Sequence, residues 1–157
     1  MSSDDVTPVL VGGGQCLQRD AAIDRALGPI EMMAVAARQA AEDANVGERV
    51  FSRVDAVGIV DVLAWRPRNA ARLLAEAVGA RPSVELVTAL GGESPLLLLN
   101  HLAGEIRAGR VRAALIAGSN NIHTLRRVYA RPNLMRRFWK WLGQTWFGRF
   151  CSALDLS

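Results

Sequence analysis

At 157 residues the chain is long enough for one hydrophobic core but not for two. Half of the residues are hydrophobic and only 6% are aromatic, so the core must consist mainly of Ala, Leu and Val, and no apolar run reaches the roughly 18 residues of a membrane-spanning helix. The net charge of +4 arises entirely in residues 119–157, which carry seven basic residues and one acidic residue, so the composition changes sharply in the last quarter.

Three elements are predicted in the first part of the chain. Residues 8–12, Pro-Val-Leu-Val-Gly, form a short apolar run that ends in glycines and is typical of a buried strand. In residues 29–45 apolar side chains recur at helical spacing, with Pro29 suited to the first turn and Glu31 to the helix dipole, which predicts an amphipathic helix. Residues 54–63 are rich in Val and Ile and predict a strand buried on both faces.

The alternation of strands and helices continues through the next part of the chain. Residues 67–78 predict a second helix, which Gly79 ends. The remaining elements are a strand at 84–90, a third helix at 94–108 and a fourth strand at 112–118. The pattern is β-α-β-α-β-α-β with crossovers long enough for parallel strands, so we expect a layered α/β domain.

The start of the third helix has an unusual composition. Ser94 precedes Pro95, the usual pair of N-cap and first-turn residues, and four leucines follow at 96–99. A helix that begins without a polar face is expected to lie buried between two layers. The strand before it ends in a tight glycine turn at Gly91 and Gly92, so the chain passes directly from strand to turn to helix.

Several stretches between about residues 8 and 127 are informative as a set. They are Val-Leu-Val-Gly-Gly-Gly-Gln at 9–15, Met-Ala-Val-Ala-Ala-Arg-Gln-Ala-Ala-Glu-Asp-Ala at 33–44, Arg-Leu-Leu-Ala-Glu at 72–76, Val-Gly-Ala-Arg-Pro at 78–82, Gly-Gly-Glu-Ser-Pro at 91–95, Arg-Ala-Gly at 107–109 and Ala-Leu-Ile-Ala-Gly-Ser at 114–119. None of them is specific alone, but their order and spacing are jointly rather specific. Together they resemble the thiolase superfamily, closest to its sterol-carrier-protein-x and acetyl-CoA acetyltransferase-like branch. The resemblance implies one three-layer α/β/α half with a mixed, mostly parallel sheet that ends in an antiparallel fifth strand.

The resemblance also implies a site and a chemistry. Thiolases form or break a carbon–carbon bond beside a thioester through an acyl-cysteine at the N-terminus of the third helix, where unpaired N–H groups and the dipole favour a thiolate. The matching position here is Gly92, which cannot be acylated, so no catalytic residue is assigned. Gly92 and Ser94 are the candidate substrate-binding residues, with the Gly92 N–H able to donate to a thioester oxygen. The family's catalytic His and second Cys lie in a C-terminal half, which we expect this chain not to contain.

Ligands and partners follow from the same resemblance. The substrate would be acyl-CoA, a coenzyme A thioester, and no cofactor is implied. A thiolase half ordinarily buries surface against its companion half and against a second subunit, so we expect a homo-oligomer or a companion C-terminal half. Cys16 and Cys151 are the only cysteines and only two histidines are present, so neither a disulfide framework nor a metal site is predicted. The acidic start is unlike a signal peptide, which predicts a cytoplasmic protein.

Two alternative sites are suggested by single motifs. Ser94 could be a nucleophile if His101 served as its base, but seven residues along one helix separate them by about 10.5 Å, which favours an N-cap role for Ser94. The glycines at 12–14 follow a predicted strand and suggest a dinucleotide-binding loop. Because Leu17 stands where that motif needs a glycine, a plain tight turn is favoured.

Two further groups of residues have only weak functional signals. His123, Arg126 and Arg127 could contact an anionic group such as a CoA phosphate, but a solvated loop is the favoured interpretation. Cys16 has no basic neighbour closer than Arg19 in the sequence, so a reactive thiol is not expected there.

The tail combines basic and aromatic residues. On a helical wheel of residues 134–150, Trp and Phe fall mainly on one half, with Arg136, Arg137 and Lys140 on the other. This pattern is typical of a helix on an anionic membrane surface, but docking into a partner's apolar groove or a segment read out of frame would also explain it. Because the aromatic residues do not interleave with the basic ones, nucleic acid is not an expected partner.

The sequence therefore predicts a thiolase-like domain at residues 1–118 and a basic, aromatic-rich tail at 119–157. The first functional hypothesis is a thiolase-like acyltransferase fragment that acts on acyl-CoA thioesters and is inactive alone. The second is a non-enzymatic module that binds acyl-CoA or a partner subunit and contacts a membrane surface through its tail.

Overall fold

The computed structural model of the chain describes residues 6–19, 21–22, 25–61 and 67–129. These residues fall into two compact units. The first contains the described parts of 1–17 and 27–120, and the second contains those of 18–26 and the chain from residue 121 onward. The boundary at residue 118 between a domain and a tail stays a prediction.

The first unit is built from three helices and three strands, with a 3-10 helix at Glu48–Arg53. The helices are α1 (Pro29–Asp43), α2 (Ala70–Val78) and α3 (Ser94–Arg107), and the strands are β1 (Ala56–Ile59), β2 (Val84–Val87) and β3 (Ala114–Ala117). Each of these elements lies within a segment that the sequence pattern predicted. The α-helices and three of the four expected strands are therefore confirmed.

The strands form a parallel sheet in the order β2-β1-β3. Ala56 of the central strand lies opposite Val84 on one side and Ala114 on the other. Helix α3 covers one face of this sheet, where Leu98 and Leu102 pack in one core cluster with Ala56. Helices α1 and α2 pack against each other and against the sheet on the opposite face. The predicted three-layer α/β/α arrangement is confirmed, and the strands within the described residues are all parallel.

The helix ends have identifiable local causes. Pro29 occupies the first turn of α1, and the Glu31 carboxylate accepts a hydrogen bond of 2.7 Å from the Gly28 backbone N–H, which satisfies one of the free donors there. Helix α2 ends at Gly79, which adopts the left-handed conformation with φ of 76°.

The strand predicted at residues 8–12 is wrong. This segment has no regular secondary structure, and Leu10 is 88% exposed. The reason is a close approach to α1, because a Cβ on Gly12 or Gly14 would collide with the backbone carbonyls of Ala40 and Ala36, respectively. The glycines at 12–14 therefore form neither a dinucleotide-binding loop nor a tight turn; they allow an irregular segment to lie directly on a helix.

Helix α3 is not buried on all sides as its leucines predicted. Leu98 and Leu102 are buried, whereas Leu96, Leu97 and Leu99 are exposed. Helical geometry points the first pair toward the sheet and the other three away from it, and the first unit has no second layer over them among the described residues. We call Leu96, Leu97 and Leu99 the leucine face.

The second unit contains α4 (Ile122–Tyr129), where a solvated loop was predicted. The Arg127 guanidinium donates a hydrogen bond of 2.9 Å to the Ala21 carbonyl within this unit, so Arg127 has a structural role. His123 and Arg126 are exposed on the same helix. The predicted amphipathic helix at 134–150 lies outside the described residues. Within the part of the chain that is described, no helix is long and apolar enough to cross a membrane.

Candidate functional site

The candidate site lies at the carboxyl end of the sheet. The chain leaves β1 toward α2 on one face and leaves β2 toward α3 on the other face. Ligands of open α/β sheets usually bind outside the carboxyl ends of the strands, so the loop that follows β2 is a candidate binding position. This loop runs from Thr88 to Glu93 and joins β2 to α3, and we call it the β2–α3 loop.

Thr88 ties the beginning of the β2–α3 loop to the end of β1. Its backbone N–H donates to the Ile59 carbonyl at 3.0 Å, and its hydroxyl accepts a hydrogen bond of 3.0 Å from the Asp61 N–H. The chain segments that follow β1 and β2 are thereby held side by side. The first residue of the β2–α3 loop is therefore fixed relative to the end of β1.

Ser94 fixes the other end of the loop, but not as an N-cap. Glu93 occupies the N-cap position, and the Ser94 hydroxyl donates a hydrogen bond of 2.7 Å to the Ala89 carbonyl. The predicted N-cap role of Ser94 is therefore wrong, because its hydroxyl closes the loop on itself instead of receiving a helix N–H. The Ser94 side chain is buried, and its hydroxyl is hydrogen-bonded to a carbonyl and to no base among the described residues. His101 is exposed two turns along the helix.

The backbone N–H groups of the glycine turn are free. Among the described residues, those of Gly91, Gly92 and Glu93 donate to no acceptor, since the hydrogen bonds of this turn run from Ser94 and Leu97 back to the carbonyls of Gly91 and Glu93. They lie at the N-terminus of α3, where the helix dipole adds positive potential. An added Cβ at exposed Gly92 would meet nothing within 4 Å, so the space in front of this position is open.

Glu93 is a residue of this site that the sequence did not single out. A Cβ built on Gly91 would lie 3.1 Å from both carboxylate oxygens of Glu93 and 3.1 Å from the Ser94 Oγ. The carboxylate therefore folds back over the glycine turn. Its position before a helix was the available signal, because acidic residues at a helix N-terminus interact favourably with the dipole.

The other predicted candidates do not join this loop within the first unit. Cys16 is partly exposed in the segment that lies along α1, near Gln15, whose N–H donates to the Gln39 side chain at 3.1 Å. The described residues hold no cluster of three or more His, Cys, Asp or Glu side chains that could bind a metal ion. Gly92 lies in the β2–α3 loop and Ser94 is the first residue of α3, and their role in substrate binding stays a prediction.

Two solved structures decide what this architecture is. A monomeric SCP2-thiolase-like protein type 1 from Mycobacterium smegmatis matches 74% of the chain with 32% sequence identity and a TM-score of 0.61. The 3-oxoacyl-[acyl-carrier-protein] synthase III from Aquifex aeolicus matches 62% of the chain with 18% identity and a TM-score of 0.52, a likeness of fold alone. This chain has the thiolase fold. The resemblance that its sequence shows to the thiolase superfamily is confirmed.

The thiolase-fold chain spans about a quarter of the Mycobacterium protein, of which it covers 24%, and 31% of the Aquifex synthase. No protein-family model and no curated protein matches it. The confirmed likeness therefore concerns the fold. The chemistry at the β2–α3 loop of this thiolase-fold chain has to be argued from its own residues.

Proposed function

We propose that the chain binds the thioester group of an acyl-CoA at the β2–α3 loop, as part of a thiolase-like acyltransferase, and does not itself form an acyl-enzyme. The observation that carries this proposal is the set of unpaired N–H groups around exposed Gly92. Backbone donors fixed at a helix N-terminus suit a thioester oxygen, which carries partial negative charge. The thiolase fold supports the assignment of this loop to acyl thioesters.

The absence of turnover follows from the side chains at the loop. Gly92, proposed to match the nucleophilic cysteine, has no side chain to acylate. Ser94 is 5% exposed and its hydroxyl donates a hydrogen bond to the Ala89 carbonyl, so it does not replace the missing thiol. In this proposal the ligand needs no cofactor, and the backbone supplies the polar contacts.

A titration of the purified chain with acetyl-CoA and with free CoA tests the binding proposal. We expect acetyl-CoA to bind more tightly than CoA, because only the thioester presents a carbonyl oxygen to the loop. Gly92→Pro removes the N–H at this position and should reduce the difference, whereas Gly92→Ala keeps the N–H, adds a methyl group in open space and should preserve it. Equal affinity for both ligands in the unmodified chain would overturn the proposal.

A thiol-release assay tests the absence of turnover. Acetoacetyl-CoA and CoA mixed with the unmodified chain should give no thiolysis above the rate without protein. Gly92→Cys should not restore activity alone, because the described residues around the loop provide no base for the new thiol. Rapid CoA-dependent cleavage by the unmodified chain would contradict this part of the proposal.

The leucine face supports a second proposal, that the chain binds a protein partner as well as a ligand. Three exposed leucines within about one turn of one helix form an apolar surface of the kind that soluble monomers usually cover. We propose that this surface binds a companion half or a second copy of the chain. This proposal also accommodates the non-enzymatic alternative, in which binding of acyl-CoA and of a partner subunit is the whole function.

A further inference from the structure

Glu93 places a negative charge beside the glycines of the β2–α3 loop, where the proposed ligand binds. Its carboxylate oxygens both lie 3.1 Å from the position of a Cβ on Gly91, so the charge lies over the glycine turn and is not directed away from it. Glu93 is the N-cap residue of α3, yet its side chain makes no capping hydrogen bond. It also has no cationic partner among the described residues.

A carboxylate in this position acts differently on neutral and on anionic ligand groups. The oxygen of a thioester carries no net charge and can still approach the free N–H groups of the turn. A second carboxylate within several ångströms of Glu93 would be repelled, and the positive potential of the helix N-terminus is already partly offset by the resident carboxylate.

We propose that Glu93 determines the substrate class of this loop by restricting it to acyl thioesters whose acyl group is uncharged. The inference rests on the proposed function, since it requires the acyl group to lie beside the β2–α3 loop. Glu93 is here a specificity-determining residue and takes no part in bond making or breaking. A purely structural role is unsupported, because the side chain is exposed and its carboxylate makes no hydrogen bond within the described part of the chain.

The test compares two ligands that differ in one acyl charge. Propionyl-CoA and malonyl-CoA share the same coenzyme and a three-carbon acyl chain, but malonyl-CoA ends in a carboxylate. Their dissociation constants are measured with the unmodified chain, with Glu93→Gln and with Glu76→Gln, an exposed charge on α2 at the opposite face of the sheet. Glu76→Gln removes the same formal charge and controls for the general attraction of an anionic ligand to a less acidic protein.

We expect the unmodified chain to prefer propionyl-CoA and Glu93→Gln to reduce that preference by about threefold or more, an effect of the size that one exposed charge has at short range. Glu76→Gln should leave the preference unchanged. An unchanged preference in Glu93→Gln, or an equal change in both variants, would overturn the inference while leaving the proposed function in place. Failure of the unmodified chain to bind propionyl-CoA would instead overturn the proposed function, and this inference with it.

Discussion

The carboxylate of Asp55 accepts three hydrogen bonds from Arg112. One comes from the Arg112 backbone N–H at 2.9 Å, and two come from its guanidinium at 2.9 and 3.1 Å. Asp55 precedes β1 and Arg112 precedes β3, so this pair fixes the amino ends of two neighbouring strands. The Asp55 carbonyl also accepts hydrogen bonds from the N–H groups of Ser83 and Val84 at the start of β2. Asp55 therefore links the amino ends of all three strands.

The Asp55–Arg112 pair makes the free energy of unfolding depend on pH in the acidic range. Hydrogen bonds from the Arg112 side chain, and then from its backbone, lower the pKa of Asp55 from 3.8 to about 2. A carboxyl with a lowered pKa in the folded state stabilises it above the unfolded-state pKa, and this contribution is lost as the pH falls. Asp55→Asn should therefore be less stable than the unmodified chain at neutral pH, and the difference should shrink between about pH 4 and pH 2.

Urea unfolding followed by circular dichroism at several pH values measures this difference. Glu42→Gln is the control, because Glu42 is an exposed carboxyl without a hydrogen-bonded side-chain partner among the described residues. A stability difference between Asp55→Asn and the unmodified chain that stays constant from pH 7 to pH 2 would show that the pair does not carry the acid dependence.

Gly58 in the central strand allows α3 to approach the sheet. A Cβ at this position would lie 2.9 Å from a methyl carbon of Leu98, which is itself 4% exposed and cannot move freely. We expect Gly58→Ala to lower the free energy of unfolding by about 1–3 kcal/mol through overpacking. Thermal and chemical unfolding measure the loss.

A double-mutant cycle tests whether the loss of stability in Gly58→Ala comes from contact with Leu98. In a Leu98→Ala background the additional effect of Gly58→Ala should largely disappear, since the space needed for the methyl group is then available. Gly104→Ala is the matched control, because Gly104 is an exposed position of α3 where a Cβ meets nothing within 4 Å. This substitution should stabilise α3 by up to about 1 kcal/mol. Additive effects of the two core substitutions would refute the proposed contact.

The segment along α1 depends on Gly14. A Cβ there would collide with the Ala36 carbonyl, so Gly14→Ala should release the segment from the helix, whereas Gly13→Ala should not, because a Cβ at Gly13 meets nothing within 4 Å. Hydrogen exchange at the Gln15 amide, which donates to the Gln39 side chain, reports the release. We expect exchange to accelerate by about tenfold or more in Gly14→Ala, matching a loss of at least about 1.4 kcal/mol of local stability. Equal exchange in both variants would show that the close approach does not hold the segment.

The leucine face should cause the chain to associate. Leu97 is 59% exposed, and burial of one leucine side chain contributes about 1.5–3 kcal/mol, so Leu97→Glu should weaken association by about tenfold or more. Sedimentation over a range of concentrations measures this change. Leu10→Glu is the control, since Leu10 is also exposed but lies in the irregular segment. A monomer that persists at high concentration would contradict the prediction.

The local pattern of the sequence was sufficient for most of the elements. Periodic alanines and Pro29 identified α1, and the run of Val and Ile identified β1, because both signals depend on neighbours along the chain. The same reasoning failed at residues 8–12, where an apolar run bounded by glycines looks like a strand. The glycines serve a long-range contact with α1, which no local spacing reveals.

The sequence by itself determined the α/β alternation, the thiolase resemblance and the strand-turn-helix junction at Gly91 and Gly92, since these depend on residue order. Only the tertiary structure decided that the Ser94 hydroxyl binds the Ala89 carbonyl, that the Glu93 carboxylate folds over the turn, and that part of α3 is exposed. The physical reason is that helical and strand periodicity fixes which side chains share a face. Which atoms a side chain meets, and whether a layer covers it, depends on how the elements pack in three dimensions.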